Sequence, residues 1–265
     1  MATTAAPATG TQERASTFAA MRAGDIGSVH SWELVTAVDG PGTRMTLFLA
    51  GCVLRCKFCH NPDTWKMRDG ATHTVDEVMQ RIVRYTQVFR ATGGGVTLSG
   101  GEPLMQPAFV AQIFRRCKEL GIHTTLDTSG YLGARASDEL LADTDLVLLD
   151  VKSGDPDTYK NITGVKLEPT LAFGRRLAAA QKRIWLRFVL VPGLSDDFDN
   201  VEAVAEYAAS LGSVERVEVL PFHQMGREKW QRLGLKYELE DTEPPSAELI
   251  ARVHEQFRSR GLTVY

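Results

Sequence analysis

The chain has no long hydrophobic run and no excess of basic residues. It has 265 residues, 43% of them hydrophobic, and no window approaches the ~18 consecutive apolar residues of a membrane-spanning helix. Thirty Lys and Arg against 33 Asp and Glu give a formal charge of −3, so no positive field is available for general nucleic-acid binding. We therefore expect a soluble globular protein that binds neither nucleic acid nor membranes.

Cysteine is scarce, and the positions of the four residues argue against disulfides. Cys52, Cys56 and Cys59 are close together, whereas Cys117 stands alone in a helical pattern. Clustered cysteines in a chain without a recognisable secretory signal indicate metal ligands or redox groups in a reducing compartment, here the cytoplasm. Residues 1–27 are rich in Ala and Thr and lack the apolar stretch of a signal peptide. We expect them to form a flexible extension, with organelle import as the alternative.

Short apolar runs alternate with segments of helical period from residue 45 onwards. The predicted strands are Met45–Leu49, Val96–Leu98, His123–Leu126, Leu146–Asp150, Ile184–Leu190 and Val214–Leu220. The first helical segment, Val75–Phe89, would be capped by Thr74. Six strand–helix units predict an α/β fold, an open, partial (β/α)6 TIM-like barrel of parallel strands. No linker divides residues 28–265, which we expect to form one domain.

Reactive residue types follow the predicted strands directly, at the end where active sites of such barrels lie. In chain order these are the cysteines after the first strand, Ser99-Gly-Gly-Glu-Pro103 after the second, Asp127 after the third, Asp150 and Lys152 after the fourth, and His223 after the sixth. Arg187 in the fifth strand faces the barrel interior, so we expect a carboxylate or a cofactor as its partner.

The spacing Cys52-x3-Cys56-x2-Cys59 places three thiolates on one loop, and three kinds of site compete for it. A structural zinc ion normally takes four protein ligands, so His60 or a distant residue would have to complete the set. A redox pair would use only Cys56 and Cys59 and would leave Cys52 unexplained. A four-iron cluster on three cysteines leaves one iron free for an outside ligand. The spacing favours the cluster and leaves the other two open.

The cysteine triplet, with Phe58 before its last member, and the downstream Gly-Gly-Glu-Pro resemble the radical S-adenosylmethionine (SAM) enzymes. More narrowly, residues 28–265 are similar to the activating enzymes of pyruvate formate-lyase. The segments that carry this resemblance are Asp39-Gly-Pro-Gly-Thr-Arg44, Cys59-His-Asn61, Asp63-Thr-Trp65, Leu126-Asp-Thr128, Leu149-Asp-Val-Lys152, Val191-Pro-Gly193 and Leu220-Pro-Phe-His-Gln-Met-Gly226. The triplet alone is moderately specific, but the motifs in this order are highly specific.

The resemblance implies a [4Fe-4S] cluster on the three cysteines, with SAM bound to its open iron. The residues implied to contact SAM are Phe58, Gly100, Gly101, Glu102, Asp127, Thr128, Asp150, Lys152, Arg187 and His223. Lys152 would neutralise the carboxylate of SAM during catalysis. A monovalent cation is implied at Asp127, Thr128, Asp150 and the backbone carbonyl of Leu148. Two carboxylates beside only one lysine, Lys152, make a local negative excess that favours such a cation.

The implied reaction is the reductive cleavage of SAM to methionine and a 5′-deoxyadenosyl radical, which removes a hydrogen from a glycine Cα of pyruvate formate-lyase. The partner segment would pass His60, Asn61 and Trp65. Only Cys117 lies outside the triplet, so we expect no second cluster and an electron from a flavodoxin- or ferredoxin-like donor. We also expect a monomer. The alternatives are an activase of another glycyl-radical enzyme, a radical SAM enzyme acting on a small molecule, and a zinc or redox module without catalysis.

Overall fold

Eight strands form one sheet in the computed structural model, which describes residues 10–36 and 38–265. The strands are β1 (Ile26–Thr36), β2 (Arg44–Leu49), β3 (Ala71–Thr74), β4 (Gly95–Gly100), β5 (His123–Thr128), β6 (Leu146–Asp150), β7 (Arg183–Leu190) and β8 (Val214–Pro221). Their order in the sheet is β3-β1-β2-β4-β5-β6-β7-β8. The sheet is therefore open, with β3 and β8 at its edges.

The six predicted strands, β2 and β4 to β8, pair in parallel and in sequence order. The expected open, partial barrel is thereby confirmed. Strands β1 and β3 were not predicted, and they add an antiparallel extension beside β2. Polar residues interrupt β1, and β3 is four residues long and mostly exposed, so neither shows the apolar run of a buried strand.

Ten α-helices lie within the described residues: α1 (Gly10–Ala23), α2 (Val75–Ile82), α3 (Thr86–Thr92), α4 (Pro107–Glu119), α5 (Asp138–Ala142), α6 (Pro156–Thr163), α7 (Glu168–Ala179), α8 (Phe198–Leu211), α9 (Arg227–Arg232) and α10 (Ala247–Ser259). No helix among them is long and apolar enough to cross a membrane. The helix predicted over residues 75–89 is divided by a 3-10 turn at Val83–Tyr85. Its N-cap is the expected Thr74, whose hydroxyl accepts the Glu77 N–H at 3.1 Å.

Helix α1 lies within the segment that the sequence analysis treats as a flexible extension. Gln112 of α4 donates a hydrogen bond to the carbonyl of Ala23 at 2.9 Å and another to Asp25 at 3.1 Å. Residues 10–23 of the extension are thus helical, the turn after them is attached to α4, and Ile26 and Gly27 already belong to β1. Residues 1–9 lie outside the described residues, so the expectation for them stays a prediction.

Side chains alternate between the two faces of the parallel strands, and this alternation separates the core from the site. Outward-facing Leu47, Leu98 and Leu126 pack in one large apolar core with helix residues, among them the fully buried Cys117. Their neighbours along the chain face the barrel interior and are polar, as at Thr97 and Ser99 in β4 and at Thr125 and Asp127 in β5. Parallel strands thus carry polar groups inward to one shared end.

Candidate active site

A cavity of about 470 Å³ lies at the carboxyl ends of the parallel strands. Fifteen of the residues singled out from the sequence line it: Cys52, Cys56, Phe58, Cys59, His60, Asn61, Trp65, Gly100, Gly101, Asp127, Thr128, Asp150, Lys152, Arg187 and His223. Glu102 and Leu148 do not. Segments far apart in the sequence therefore meet at one site, as expected for residues that follow parallel strands.

The cysteine loop is held by backbone hydrogen bonds to its neighbours. The Cys52 N–H donates to the carbonyl of Trp65 at 3.1 Å, and the Lys57 N–H donates to Ile162 at 3.1 Å. The indole N–H of Trp230 donates to the carbonyl of Cys59 at 2.8 Å. These bonds fix the backbone from both sides, so the three thiols are presented to the cavity by a supported loop.

The three thiols fit an iron–sulfur cluster by their chemistry. All are free, and burial raises the pKa of Cys56 to about 12 and also raises the pKa values of Cys52 and Cys59. Within residues 10–36 and 38–265, no group of three or more His, Cys, Asp and Glu side chains is gathered as around a metal ion. The fit therefore rests on the donor set: three thiols on one loop, which iron would bind as thiolates with loss of their protons.

His60 is poorly placed to complete a zinc site. Its ring packs against that of His223 with centroids 4.4 Å apart, and its Nε2 lies 3.3 Å from the His223 carbonyl. The imidazole is thus engaged at the cavity wall beside the last strand. A structural zinc ion normally has four protein ligands, so this geometry favours a cluster with three protein ligands.

The loop after β4 packs directly on the cysteine loop because of two glycines. Gly100 has a φ of +115°, and a Cβ there would lie 2.2 Å from the Leu49 nitrogen. At Gly101 a Cβ would lie 2.3 Å from the Gly51 carbonyl oxygen. The next residue, Glu102, donates its N–H to the same carbonyl at 2.8 Å. A side chain at Gly101 would separate the two loops, and one at Gly100, the last residue of β4, would meet the backbone of β2.

Glu102 itself is buried beneath the cavity and binds only groups of the chain. Its carboxylate accepts hydrogen bonds from the Leu104 N–H at 3.1 Å, from the Thr128 hydroxyl at 2.6 Å, and from both the N–H and hydroxyl of Ser129. Burial raises the pKa of Glu102, and these hydrogen bonds oppose that shift. In this structure Glu102 ties the loop after β4 to the loop after β5, so its effect on a ligand would be indirect.

Lys152 and Asp150 form an ion pair in the cavity wall, with Nζ 2.9 Å from Oδ2. The two residues point to the same side of the extended chain, as their spacing predicts. The ammonium group also lies 5.5 Å above the ring of Phe58. Burial acts to lower the pKa of Lys152. The nearby Asp150 and Cys56 act to raise it and together outweigh burial, so the net shift is upward. Lys152 is a fixed positive charge beside the cysteine loop.

Arg187 joins three strands at the cavity and has carboxylates as partners. Its Nη1 lies 3.6 Å from Asp127 Oδ2, its Nε 2.9 Å from Glu218 Oε2, and its Nη2 3.8 Å from Asp39 Oδ1. Burial raises the pKa of Asp127 to about 7, and the arginine acts against this shift. Arg187 thus has the carboxylate partner expected for it, and it reduces the local negative excess that was expected around Asp127 and Asp150.

The residues implied for a monovalent cation are engaged in other contacts. Thr128 donates its hydroxyl to Glu102, and Ser99 donates its hydroxyl to Asp127 at 2.6 Å. The side chain of Leu148 packs with Leu146 and Trp185 inside the barrel. The two aspartates line the same cavity, so the cation stays a prediction.

The rim of the cavity includes residues after the cysteine loop, and α9 packs against them. Asn61 Oδ1 accepts a hydrogen bond from Lys229 Nζ at 2.7 Å, and the ring of Trp65 meets that of Trp230 edge-on with centroids 5.2 Å apart. Neither Lys229 nor Trp230 is among the residues expected from the sequence to meet the partner. The signal for both is their place in a short helix directly after the His223 motif.

Comparison with known proteins identifies the family. The family model described as the radical SAM superfamily matches residues 46–208, more than half of the chain. The pyruvate formate-lyase 1-activating enzyme of Escherichia coli K12 is 44% identical over 230 residues, which are 86% of this chain and 94% of that protein. The pyruvate formate-lyase-activating enzyme of Staphylococcus epidermidis is 45% identical over 242 residues, which are 89% and 96% of the two chains.

A solved structure agrees with these matches. The crystal structure of a domain of pyruvate-formate lyase-activating enzyme from Bacteroides vulgatus superposes with a TM-score of 0.56 at 31% sequence identity. The match covers 65% of this chain and 98% of that domain. The sequence matches and the structural match thus indicate the same family as the cysteine triplet, the glycine loop and the cavity at the strand ends. The chain belongs to the radical SAM superfamily and, within it, to the family of pyruvate formate-lyase-activating enzymes.

Proposed function

We propose that this chain activates pyruvate formate-lyase by generating a glycyl radical on it. The observation that carries the proposal is the cavity in which the cysteine triplet, the glycine loop and the Lys152–Asp150 pair meet. When bound there, a [4Fe-4S] cluster and SAM supply the reductive cleavage that yields methionine and a 5′-deoxyadenosyl radical, which removes a hydrogen from a glycine Cα. The protein supplies binding, orientation and electrostatics.

The roles of the site residues follow from their chemistry. The three cysteines would hold the cluster, and Lys152 would face the carboxylate at the methionine end of SAM. The backbone at Gly100 and Gly101 can approach the amino group of SAM closely because no Cβ intervenes. His223 follows the last strand, packs against His60 and would contact the adenosine end. Phe58 borders the ammonium of Lys152 and would shield it from water.

The open mouth would admit an extended segment of the partner protein. Six parallel strands leave the barrel unclosed, and His60, Asn61 and Trp65 form part of the rim. A small substrate usually needs a pocket that buries most of its surface, whereas an open mouth suits a glycine on a polypeptide. This argument favours a protein substrate over a small molecule.

The proposal includes further components of the reaction. A flavodoxin- or ferredoxin-like protein would supply the electron, because the sequence has only Cys117 beyond the triplet. A monovalent cation would sit at Asp127, Asp150 and the Leu148 carbonyl, and the Thr128 hydroxyl would turn from Glu102 towards it. The chain would act as a monomer in the cytoplasm. Comparing SAM affinity in potassium, sodium and a bulky organic cation tests the cation, and equal affinities would argue against it.

A label-transfer experiment tests the main proposal. Reconstituted, reduced enzyme and SAM are supplied with pyruvate formate-lyase deuterated at the α-carbons of its glycines. Deuterium should appear in 5′-deoxyadenosine, and a glycyl radical should appear in the electron paramagnetic resonance spectrum. The matched control is the same partner with its radical-site glycine replaced by alanine, which should give neither. SAM cleavage without label transfer would instead favour the small-molecule alternative.

A further inference from the structure

Glu218 of β8 is a buried carboxylate shared by two arginines, and the sequence analysis gave it no role. It is 8% exposed. One carboxylate oxygen lies 2.9 Å from Arg187 Nε, and the other contacts Arg216 Nη2. Arg216 is itself packed on aromatic rings, 3.4 Å from the centroid of Trp185 and 4.8 Å from that of Tyr265. The carboxylate is thus fixed from the side away from the cavity.

The contact with Glu218 determines how Arg187 faces the cavity. Glu218 and Arg187 are partners in the parallel pairing of β7 and β8. Because Glu218 holds the Nε edge, the two Nη groups of the planar guanidinium are left for the other side. One of them faces Asp127 at 3.6 Å, and the other donates to the carbonyl of Val38. A single ion pair therefore sets the direction of both cavity contacts.

Charge makes this arrangement depend on Glu218. Arg187 and Arg216 approach the same carboxylate from two sides, and both are largely buried. Without the negative charge between them, the two guanidinium groups would repel each other in a poorly solvated space. Arg187 would then be displaced towards Asp127 or Asp39, which are the other carboxylates within its reach.

Arg187 directly contacts the segment 38–43, of which Asp39 lines the cavity. Arg187 Nη2 donates a hydrogen bond to the Val38 carbonyl in this segment. Two residues of the strands also bind the segment: the Thr97 hydroxyl donates to the Asp39 carbonyl at 2.6 Å, and Arg44 Nη1 donates to the Pro41 carbonyl at 3.3 Å. The Thr46 hydroxyl also donates to the Asp39 carboxylate at 3.0 Å, and the Thr43 N–H donates to Thr92 at 3.2 Å. Loss of the Arg187 contact would therefore loosen the segment mainly at its Val38 end.

We propose that Glu218 is a positioning residue of the site. It holds Arg187 so that the arginine fixes Asp127 on one side of the cavity and the segment 38–43 on the other. That the ligand in the cavity is SAM rests on the proposed function, whereas the positioning of Arg187 and the segment does not.

The test uses the full-length, cluster-reconstituted protein under anaerobic conditions and two readouts other than activity. One is hydrogen exchange of the backbone amides of residues 38–43, except Pro41, without SAM, and the other is the Kd for SAM. The variants are Glu218→Gln, Arg187→Gln and their combination. Glu218→Asp, which keeps the charge but withdraws it by one methylene, serves if Glu218→Gln does not fold. The matched control is Glu202→Gln, which removes a carboxylate paired with Arg260 outside the cavity.

We expect Glu218→Gln to speed exchange of residues 38–43 and to weaken SAM binding, each by about tenfold, a size typical of coupling within one ion-pair network. Arg187→Gln should do the same, and adding Glu218→Gln to it should change nothing more. Glu202→Gln should match the wild type. The proposal would be overturned if the double variant showed the product of the two single-variant effects, or if Glu218→Gln exchanged at the wild-type rate. If exchange in the variants changes as expected but the wild-type protein does not bind SAM, the positioning role is upheld and the proposed function is refuted.

Discussion

Charged side chains that line the cavity have partners of opposite charge within the chain. Lys152 is paired with Asp150, and Arg187 is paired with Asp127. Burying an isolated charge is expensive unless it is paired, so these pairs allow an open, strongly polar cavity between apolar layers. A zwitterionic ligand such as the methionine end of SAM could exchange contacts with such pairs without leaving a charge uncompensated.

Three of the four cysteines should be needed to bind iron. Cys56→Ala removes a thiol that faces the cavity, whereas Cys117→Ala removes a fully buried thiol of the apolar core. We expect Cys56→Ala to lose the cluster. Cys117→Ala should keep it and lose about 1 kcal/mol of stability through the small cavity left behind. Iron content and visible absorbance after reconstitution measure the first effect, and thermal unfolding measures the second. A cluster lost only in Cys117→Ala would contradict the ligand assignment.

His123 should make the fold less stable in mild acid. Its Nδ1 lies 3.2 Å from Arg44 Nη1, and burial together with this arginine lowers the pKa of His123 from 6.5 to about 4. The unfolded chain therefore takes up the proton at higher pH, so stability falls as the pH drops below about 6.5 towards 4. Because the ring is partly exposed, we expect a loss of about 1 kcal/mol between pH 7 and pH 5.

Urea unfolding of the wild type and His123→Gln at both pH values measures this contribution. The wild type should lose more stability than the variant on going from pH 7 to pH 5. Other groups titrate in both proteins, so only the difference reports on His123. An equal loss in the two proteins would show that His123 takes up its proton as readily when folded as when unfolded.

The sequence could predict which residues lie together where their positions depend on strand ends. It could not do so where their positions depend on side-chain packing. Asp127, Asp150 and Lys152 could be brought together from the sequence because parallel strands end at one edge of the sheet. Asp39 and Glu218 could not. Glu218 lies inside a strand of alternating polarity, where a carboxylate usually faces solvent. The usable signal was the register of the neighbouring strand, which places Glu218 opposite the buried Arg187, with Arg216 two positions earlier on the same face.

At the scale of elements, the parallel strands were predictable and the additions around them were not. Strands such as β6 are buried on both faces and appear as unbroken apolar runs. Helix α6 has only local signals, Pro156 at its start and Gly164 after its end, and at eight residues it is too short to stand out in the strand–helix alternation. Its place is set by tertiary contacts, including the Ile162 and Thr163 carbonyls that bind the cysteine loop.

The contact between the glycine loop and the cysteine loop should be sensitive to one methyl group. In Gly101→Ala the added Cβ would meet the Gly51 carbonyl oxygen at 2.3 Å. We expect the loops to separate and the Kd for SAM to rise at least about tenfold, because misplacing binding groups by about 1 Å has effects of that order or larger. Equilibrium binding to the reconstituted protein measures it.

The control is Gly164→Ala, which places alanine at a φ of +79° with no atom within 4 Å of the new Cβ. It should destabilise the fold through backbone strain by about 1 kcal/mol and leave the Kd for SAM unchanged. Wild-type affinity in Gly101→Ala would mean that the two loops tolerate separation. The close approach would then have no role in binding.

At the scale of the whole molecule, the open sheet has two edges that are protected differently. Strand β3 is four residues long and polar, which are features that limit pairing with other chains. Strand β8 is longer, and the C-terminal residues cover part of it, with Val264 forming a parallel bridge to Val217. The barrel can therefore stay open at the site while its last strand remains partly paired.

Removing residues 263–265 should destabilise the protein and promote its self-association. The deletion eliminates the bonds from the Val217 N–H to the Thr263 carbonyl at 2.8 Å, from the Val219 N–H to the Tyr265 carbonyl at 3.1 Å, and from the Tyr265 N–H to the Val217 carbonyl at 3.0 Å. We expect a loss of about 2–4 kcal/mol, since each bond contributes on the order of 1 kcal/mol, and dimers paired through β8. Thr263→Ala, which keeps the backbone bonds, should behave as wild type. Thermal unfolding and light scattering after gel filtration measure both effects. A stable, monomeric truncated protein would show that the β8 edge needs no cover.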